Sequence, residues 1–203
     1  MGHSAIRLAM NAMGTMVRLV SLLAAAAAFM SSSPAAGGPE KKLCEREMVS
    51  ASSKHGVPLG MLYAVGLTET GKGDSLHPYA LNIEGQASFD RTKAEALARF
   101  EAARAAGTKL IDLGCMQVNY HYHREKFASV QNMLEPAANV DYAARFLKDL
   151  KAREGTWTKA VARYHAGPNN DPAQKRYVCR VIANMVATGF GAWTPQSRAF
   201  CNG

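Results

Sequence analysis

A succession of apolar stripes at helical spacing constrains the fold of this chain more than any other feature of its sequence. Residues three and four positions apart share one face of an α-helix, so such a repeat indicates a helix with one buried face. No segment shows the strict alternation of apolar and polar residues that is typical of a half-buried strand. The pattern therefore predicts a mainly α domain. The clearest stripe consists of Val140, Ala143, Ala144, Leu147 and Leu150.

Glycine and capping residues set the limits of the predicted helices. Gly56, Gly107 and Gly155 stand where helices end, because glycine readily adopts the left-handed conformation that closes a helix. Thr92 begins another helix, since it forms the capping-box pattern T-x-x-E with Glu95. The helices predicted in this way cover 45–55, 58–69, 93–106, 139–154, 157–166 and 172–188, and a tail then reaches Cys201.

The second predicted helix is apolar on nearly all sides and ends in a carboxylate. Leu62, Val65 and Glu69 share one face, so we expect a buried helix with Glu69 at its C-terminal end. Burial and the negative end of the helix dipole both disfavour an ionised carboxylate, and they should raise the pKa of Glu69. A carboxyl group that stays protonated near neutral pH is suited to general acid catalysis.

The N-terminal segment has the order of regions that is typical of a secretory signal peptide. Arg7 and Arg18 come first, an apolar run from Leu19 to Met30 follows, and the chain then becomes small and polar. The run has 12 residues, whereas about 20 are needed to span a bilayer, so the pattern favours a cleaved leader without stable membrane insertion. We expect a periplasmic or secreted protein. The predicted division is a signal peptide over 1–35, a linker over 36–43, a catalytic domain over 44–190 and a tail over 191–203.

The positive charge of the chain fits an anionic partner. Removal of the leader lowers the formal net charge from +8 to +6. Nucleic acid is a common partner of basic proteins, but an exported protein meets the carboxylates and phosphates of the cell wall instead. The charge is equally consistent with a role in solubility alone.

All four cysteines lie after the predicted leader. An even count in an exported chain favours two disulfides, and the sequence alone does not choose among the three possible pairings. A zinc site is disfavoured, because no two cysteines are two to four residues apart. Cys115 with His121 or His123 would suit a thiol peptidase, although an exported thiol is more often oxidised to a disulfide. The four residues are Cys44, Cys115, Cys179 and Cys201.

Three short motifs resemble those of the soluble lytic transglycosylases. The first is LYAVGLTET over 62–70, which resembles a helix that ends in a catalytic Glu followed by Ser or Thr. The second is GCMQVN over 114–119, and the third is YHAG over 164–167. They occur in the family's order and extend over most of the predicted domain.

The resemblance implies a lysozyme-like fold and assigns roles to particular residues. Glu69 would be the catalytic acid and base, and Tyr164 would point its hydroxyl toward it. The implied substrate-binding residues, of which Met116 and Gln117 would line the glycan cleft and Asn119 would support its loop, are Thr70, Asn82, Met116, Gln117, Asn119 and Tyr164. The resemblance implies no cofactor and no metal.

The chain also departs from the family's pattern. Cys115 replaces a leucine, His165 replaces an asparagine, and 45 positions separate Glu69 from Gly114, which is more than is usual. As the working disulfide pairing we take Cys44 with Cys115, which would tie the first helix to the cleft loop, and Cys179 with Cys201, which would pin the C-terminus.

The implied activity is cleavage of the peptidoglycan strand between MurNAc and GlcNAc, with formation of 1,6-anhydroMurNAc ends. Glycosidases usually require two carboxyl groups, and the candidates for a second one, Glu84, Asp90 and Asp112, lie in segments predicted as loops. A muramidase that uses water and an inactive wall-binding accessory therefore remain as alternatives. The sequence leaves open whether the protein serves general wall turnover or a flagellar, pilus or secretion apparatus.

Overall fold

The structure is a computed structural model that describes residues 42–71, 75–167 and 169–203. The predicted signal peptide and nearly all of the predicted linker lie outside the described residues. Within them, no helix is both long enough and apolar enough to cross a membrane.

Five longer helices form the body that holds the cleft, and their bounds agree with the predicted ones within about three residues. Helix α1 packs against α2 and α6, helix α2 packs against α8, and α7 lies against both α6 and α8. The helices are α1 (Leu43–His55), α2 (Leu59–Thr70), α6 (Pro136–Glu154), α7 (Trp157–His165) and α8 (Asp171–Ala187). The predicted mainly α, lysozyme-like class is confirmed.

A glycine in α2 allows this close packing. A Cβ atom on Gly66 would lie 2.5 Å from the terminal methyl carbon of Met48 on α1. Met48 is fully buried, so a larger residue at position 66 would force the Met48 side chain out of its place in the core. Both helices carry apolar residues into one core that also includes Leu62, Val65 and Leu147.

A small antiparallel sheet lies between α2 and α6 in the sequence. Its strands are β1 (Ala80–Ile83), β2 (Gln86–Phe89), β3 (Ile111–Leu113) and β4 (Val118–Asn119), in the order β2-β1-β3-β4. Strands of two to four residues are too short to show a recognisable alternation. For that reason the sequence predicted little or no sheet, although this sheet carries one wall of the cleft.

The helix after β2 begins as the sequence predicted. Helix α3 covers Lys93–Ala105, and the Thr92 side chain accepts a hydrogen bond from the Glu95 amide at 3.2 Å. The second half of the expected capping box differs, because the Glu95 carboxylate accepts from the Arg91 amide rather than from that of Thr92. Three shorter helical segments follow β4, namely α4 (Tyr120–His123), a 3-10 turn (Arg124–Lys126) and α5 (Val130–Met133).

The predicted C-terminal tail contains a helix. Helix α9 covers Pro195–Asn202 and begins with a capping box in which Thr194 and Ser197 bind each other's amides. Its apolar residues are few and it has no buried residue. The tail therefore shows no apolar stripe from which the helix could have been predicted.

Two disulfides join the cysteines in the pairing that the sequence analysis favoured. Cys44 on α1 is bonded to Cys115, and Cys179 on α8 is bonded to Cys201 on α9. Cys115 is fully buried and bridged, so the thiol-peptidase alternative has no nucleophile.

We expect intact-mass spectra to show both bonds. Protein isolated from an oxidising compartment and alkylated without reductant should gain no alkyl group, because all four sulfurs are engaged. Reduction under denaturing conditions before alkylation should add four groups. Addition of two or more groups without reductant would contradict the pairing.

Candidate active site

A cleft of about 620 Å³ opens between the sheet and the helices α6 and α7. Glu69 reaches it from the C-terminal end of α2, and Tyr164 and His165 reach it from the end of α7. The sheet contributes the opposite wall, which consists of Asn82, Asp112, Gln117, Val118 and Asn119.

Glu69 is the carboxyl group best suited to acid catalysis in this cleft. Burial, opposed by a hydrogen bond from Tyr177, raises its pKa from 4.5 to about 7. The nearby Asp112 carboxylate raises the pKa of Glu69 further, and Arg180 lowers it. The sequence analysis predicted the direction of this shift, and burial is its main cause in the structure.

Tyr177 holds the Glu69 carboxyl group in place. Its hydroxyl donates a hydrogen bond to Oε1 of Glu69 at 2.5 Å, and its ring is fully buried in α8. The His165 ring stacks on the Tyr177 ring, with centroids 4.2 Å apart and planes inclined by 3°. Both contacts fix the rotamer of Tyr177, so the carboxyl group has a preorganised donor.

The sequence analysis predicted that the Tyr164 hydroxyl points toward Glu69, and the structure gives the hydrogen bond to this carboxyl group to Tyr177 instead. Tyr164 lines the cleft, but its hydroxyl donates to the Met116 carbonyl at 2.7 Å. Burial and the nearby Glu69 raise the pKa of Tyr164 well above its usual value.

The sequence analysis did not predict the role of Tyr177, because this residue belongs to none of the three motifs. Its only sequence signal is its position four residues before Val181, on the inward face of α8.

A tight turn between β3 and β4 presents Gln117 to the cleft. Gly114 has a φ of +78°, and a Cβ atom there would lie 2.7 Å from Nδ2 of Asn139. Gln117 is also left-handed, with a φ of 45°. Its side chain donates to the Ala80 and Gly114 carbonyls, at 3.1 Å each. The turn is therefore tied to β1 as well as to α6.

Asn139, a fully buried residue in the first turn of α6, organises this turn. Its Oδ1 accepts from the Met116 amide at 2.9 Å, and its Nδ2 donates to the Leu113 and Met133 carbonyls, also at 2.9 Å. The sequence analysis used Asn139 only as the start of a helix. A buried polar side chain of this kind cannot be distinguished from a helix cap by spacing alone.

Two of the predicted substrate-binding residues support the cleft without lining it. The Met116 side chain is fully buried in the core, and its sulfur lies 3.5 Å from where a Cβ of Gly66 would be. Thr70 is buried as well, and its hydroxyl lies within hydrogen-bond distance of the Gly66 and Cys115 carbonyls. Asn82, Gln117, Asn119 and Tyr164 do line the cleft.

Asp112 brings a second carboxylate into the cleft. It lies on β3 rather than in a loop, and Nδ2 of Asn119 donates to it at 2.6 Å. Burial raises the pKa of Asp112, while the Asn119 hydrogen bond lowers it. The other two candidates do not line the cleft: Glu84 is exposed in the β1–β2 turn, and Asp90 forms an ion pair with Arg99.

Aromatic side chains continue the cleft beyond the carboxylates. The Tyr142 and Phe146 rings of α6 lie nearly parallel, with planes inclined by 13°. Tyr142 bonds His123 at 2.7 Å, and Tyr122 at the cleft edge is 70% exposed. Flat apolar rings beside polar groups suit the faces and hydroxyls of a sugar.

The described residues contain no cluster of three or more His, Cys, Asp or Glu side chains that could hold a metal ion. Within this part of the chain, the two carboxyl groups that line the cleft are those of Glu69 and Asp112.

A helical body, a small sheet and a cleft with a carboxyl group of raised pKa define a lysozyme-like domain. The family model of the transglycosylase SLT domain matches residues 48–183 of the chain. The chain belongs to the transglycosylase SLT domain family. No curated protein and no solved structure gives a significant match.

Proposed function

We propose that the protein is a peptidoglycan lytic transglycosylase in which Glu69 is both the acid and the base. The observation that carries this proposal is the position of the Glu69 carboxyl group, which lines the cleft of an SLT domain and accepts a hydrogen bond from Tyr177. Burial raises the pKa of this group to about 7. A general acid is most effective when its pKa lies near the working pH. We further propose that the protein acts in the periplasm or outside the cell, on glycan strands of the wall.

The reaction requires one proton to move twice. Glu69 donates its proton to the oxygen between MurNAc and GlcNAc, the bond from that oxygen to C1 of MurNAc breaks, and an oxocarbenium-like state forms. The 6-hydroxyl of the same MurNAc then attacks C1, and the Glu69 carboxylate accepts the hydroxyl proton. The product has a 1,6-anhydro end, no water is consumed, and Glu69 is again protonated.

Tyr177 stabilises the charged intermediate state of Glu69 in this cycle. Its hydrogen bond stabilises the Glu69 carboxylate formed after the first proton transfer. The buried negative charge of that state would otherwise be strongly disfavoured by desolvation.

A second candidate function, hydrolysis by water, is favoured by Asp112. A retaining or inverting glycosidase needs a second carboxylate opposite the acid, and Asp112 lies in the same cleft as Glu69. The raised pKa of Asp112 and its hydrogen bond from Asn119 make it a possible base for a water molecule. An assay of reducing ends released from purified sacculi tests the two candidates, because only hydrolysis by water creates them. Cleavage without new reducing ends is the result that we expect.

The pH dependence of cleavage tests the electrostatics of Glu69. Because the acid must be protonated, kcat/KM of the wild type should fall as the pH rises through about 7. Tyr177→Phe removes a donor that favours the ionised form, so the pKa of Glu69 and this fall should move to higher pH. Asp112→Asn removes a negative charge, so the fall should move to lower pH.

The two substitutions should move the pH profile in opposite directions. A general loss of structure would not produce shifts of opposite sign. Glu84→Gln, at an exposed carboxylate outside the cleft, is the control and should leave the profile unchanged. Profiles that coincide for all four proteins would show that Glu69 is not the titrating acid.

A further inference from the structure

We propose that a basic pocket beside the cleft binds the carboxylates of the peptide stem that MurNAc carries. This inference rests on the proposed function, because it concerns the same substrate. The basic pocket encloses about 750 Å³, and its cationic residues are Lys175, Arg176 and Arg180 of α8.

The helical repeat of α8 brings these groups to one surface. Ala173, Arg176, Tyr177 and Arg180 are spaced by three, one and three residues, so they lie on one face of the helix, and all four line the basic pocket. Arg176 and Arg180 are exposed and Lys175 is half-buried. Their charged ends are therefore accessible to a ligand.

Within the described part of the chain, none of the three cations forms an ion pair with an aspartate or glutamate, although the charge of Arg180 lowers the pKa of Glu69. The ion pairs found there use other cations, such as Arg163 with Glu154 and Arg99 with Asp90, and the lining of the basic pocket includes no aspartate or glutamate. Arg180 lies over the Tyr177 ring at 5.7 Å and Lys175 over the Phe200 ring at 5.6 Å. These contacts orient the two side chains without cancelling their charge.

The basic pocket adjoins the catalytic cleft directly. His165 lines both cavities, and Tyr177, which lines the basic pocket, donates its hydroxyl hydrogen to Glu69 in the cleft. Burial lowers the pKa of His165, and the positive charges of Arg180 and Arg176 lower it further. The two cavities therefore meet at His165, and a group attached to a sugar in the cleft can approach the basic pocket past this side chain.

The C-terminal helix forms the far side of the basic pocket. Cys201 and Asn202 of α9 line it, and the bond between Cys179 and Cys201 fixes α9 against α8. The pocket is thus built from a covalently fixed pair of helices.

Among the groups of the wall glycan, the peptide stem fits this place best. MurNAc carries on its lactyl group a peptide with free carboxylates, and this peptide is attached to the sugar that Glu69 is proposed to cleave. Arginine side chains bind carboxylates with short, charge-assisted hydrogen bonds. The sugars themselves are uncharged apart from this stem, so the cations have no other partner on the strand.

Binding of the soluble tripeptide L-Ala-γ-D-Glu-diaminopimelate, followed by NMR, tests the proposal without cleavage. The double variant Lys175→Ala/Arg176→Ala should lower the affinity about tenfold. Arg180 is left intact because it lies against Tyr177 and influences Glu69. The matched control is Lys148→Ala/Lys151→Ala on α6, which also removes two charges and should bind as the wild type does.

The His165 resonance gives a local readout. A bound carboxylate should offset the positive field of Arg176 and Arg180, so the pKa of His165 should rise when the tripeptide binds to the wild type. Equal affinity in all three proteins, or no binding by the wild type, would overturn the proposal. Equal binding of inorganic phosphate in place of the tripeptide would also contradict it, since it would show an unselective anion pocket.

Cleavage of two substrates separates this proposal from the proposed function. The double variant should cleave peptide-bearing sacculi about tenfold more slowly than the wild type. It should cleave amidase-stripped glycan, which keeps the lactyl carboxylate of MurNAc but lacks the carboxylates of the stem, at the wild-type rate. An equal loss on both substrates would overturn the peptide role. If the wild type cleaves neither substrate, the proposed function fails, while the binding result still decides on the pocket.

Discussion

Replacement of Glu69 by glutamine should abolish glycan cleavage and leave the protein folded. Glutamine has the same shape as the protonated carboxyl group and can still accept the Tyr177 hydrogen bond, but it has no proton to transfer. General acid–base catalysis contributes typically about a hundredfold to ten-thousandfold to a rate, and in this mechanism the same residue acts in both steps. We therefore expect a loss of at least about a thousandfold, measured as turbidity clearance of purified sacculi.

The same substitution should increase stability at neutral and alkaline pH. The pKa of Glu69 is raised in the folded protein, so the folded state binds more protons than the unfolded state between pH 4.5 and about 7. Stability of the wild type therefore falls as the pH rises through this range, and the glutamine variant lacks this loss. Its melting temperature should equal that of the wild type near pH 4 and exceed it near pH 8.

Substitutions of three other carboxylates are the controls for the predicted loss of cleavage. Glu84→Gln and Asp90→Asn should retain nearly full activity, since neither side chain lines the cleft. Asp112→Asn should retain substantial activity with the shifted pH profile. Substantial anhydro product from the Glu69 variant, or loss of its fold, would contradict the single-carboxylate mechanism.

The largest expected loss of stability follows replacement of Asn139 by leucine. Leucine has a similar volume but leaves the Met116 amide and the Leu113 and Met133 carbonyls buried without their partner. Each such group costs about 1–3 kcal/mol, so the free energy of unfolding should fall by about 3–5 kcal/mol. In a domain of this size the melting temperature should drop by roughly 10 °C.

Chemical unfolding with the disulfides intact measures this loss, and activity provides a second readout. The turn that presents Gln117 depends on Asn139, so cleavage at a temperature where the variant is folded should also decrease. Asn170→Leu is the control, because Asn170 is exposed and forms no side-chain cap at the start of α8. If the Asn139 variant is as stable as the Asn170 variant, the hydrogen bonds of the Asn139 side chain do not stabilise the turn.

The parts of the fold that were predictable are those specified by local sequence. The stripe from Val140 to Leu150 and the Thr92 cap determine helices by spacing and hydrogen bonding within a few residues, and both were found where expected. The sheet was not predictable, because its pairing joins Leu81 to Leu113 across 32 positions. Nor was α9, whose attachment depends on a disulfide rather than on an apolar face.

The same distinction applies to the site. Glu69 was predictable from its position at the end of an apolar helix and from the motif around it. Tyr177 and Asp112 reach the carboxyl group from α8 and β3, and their approach depends on how these elements pack. For Tyr164 the family motif located the residue in the cleft, but the atom that its hydroxyl bonds depends on the turn at Met116.

Mass spectrometry of the fragments released from purified sacculi, before and after treatment with borohydride, tests the central claim most directly. An intramolecular attack by the 6-hydroxyl gives a muramoyl end that is one water lighter than the hydrolysed end and that borohydride does not reduce. We predict that the wild type releases fragments with these ends and that Asp112→Asn releases the same ones. Reducible MurNAc ends as the main product, lost together with activity in Asp112→Asn, would instead identify a muramidase that uses two carboxylates and water.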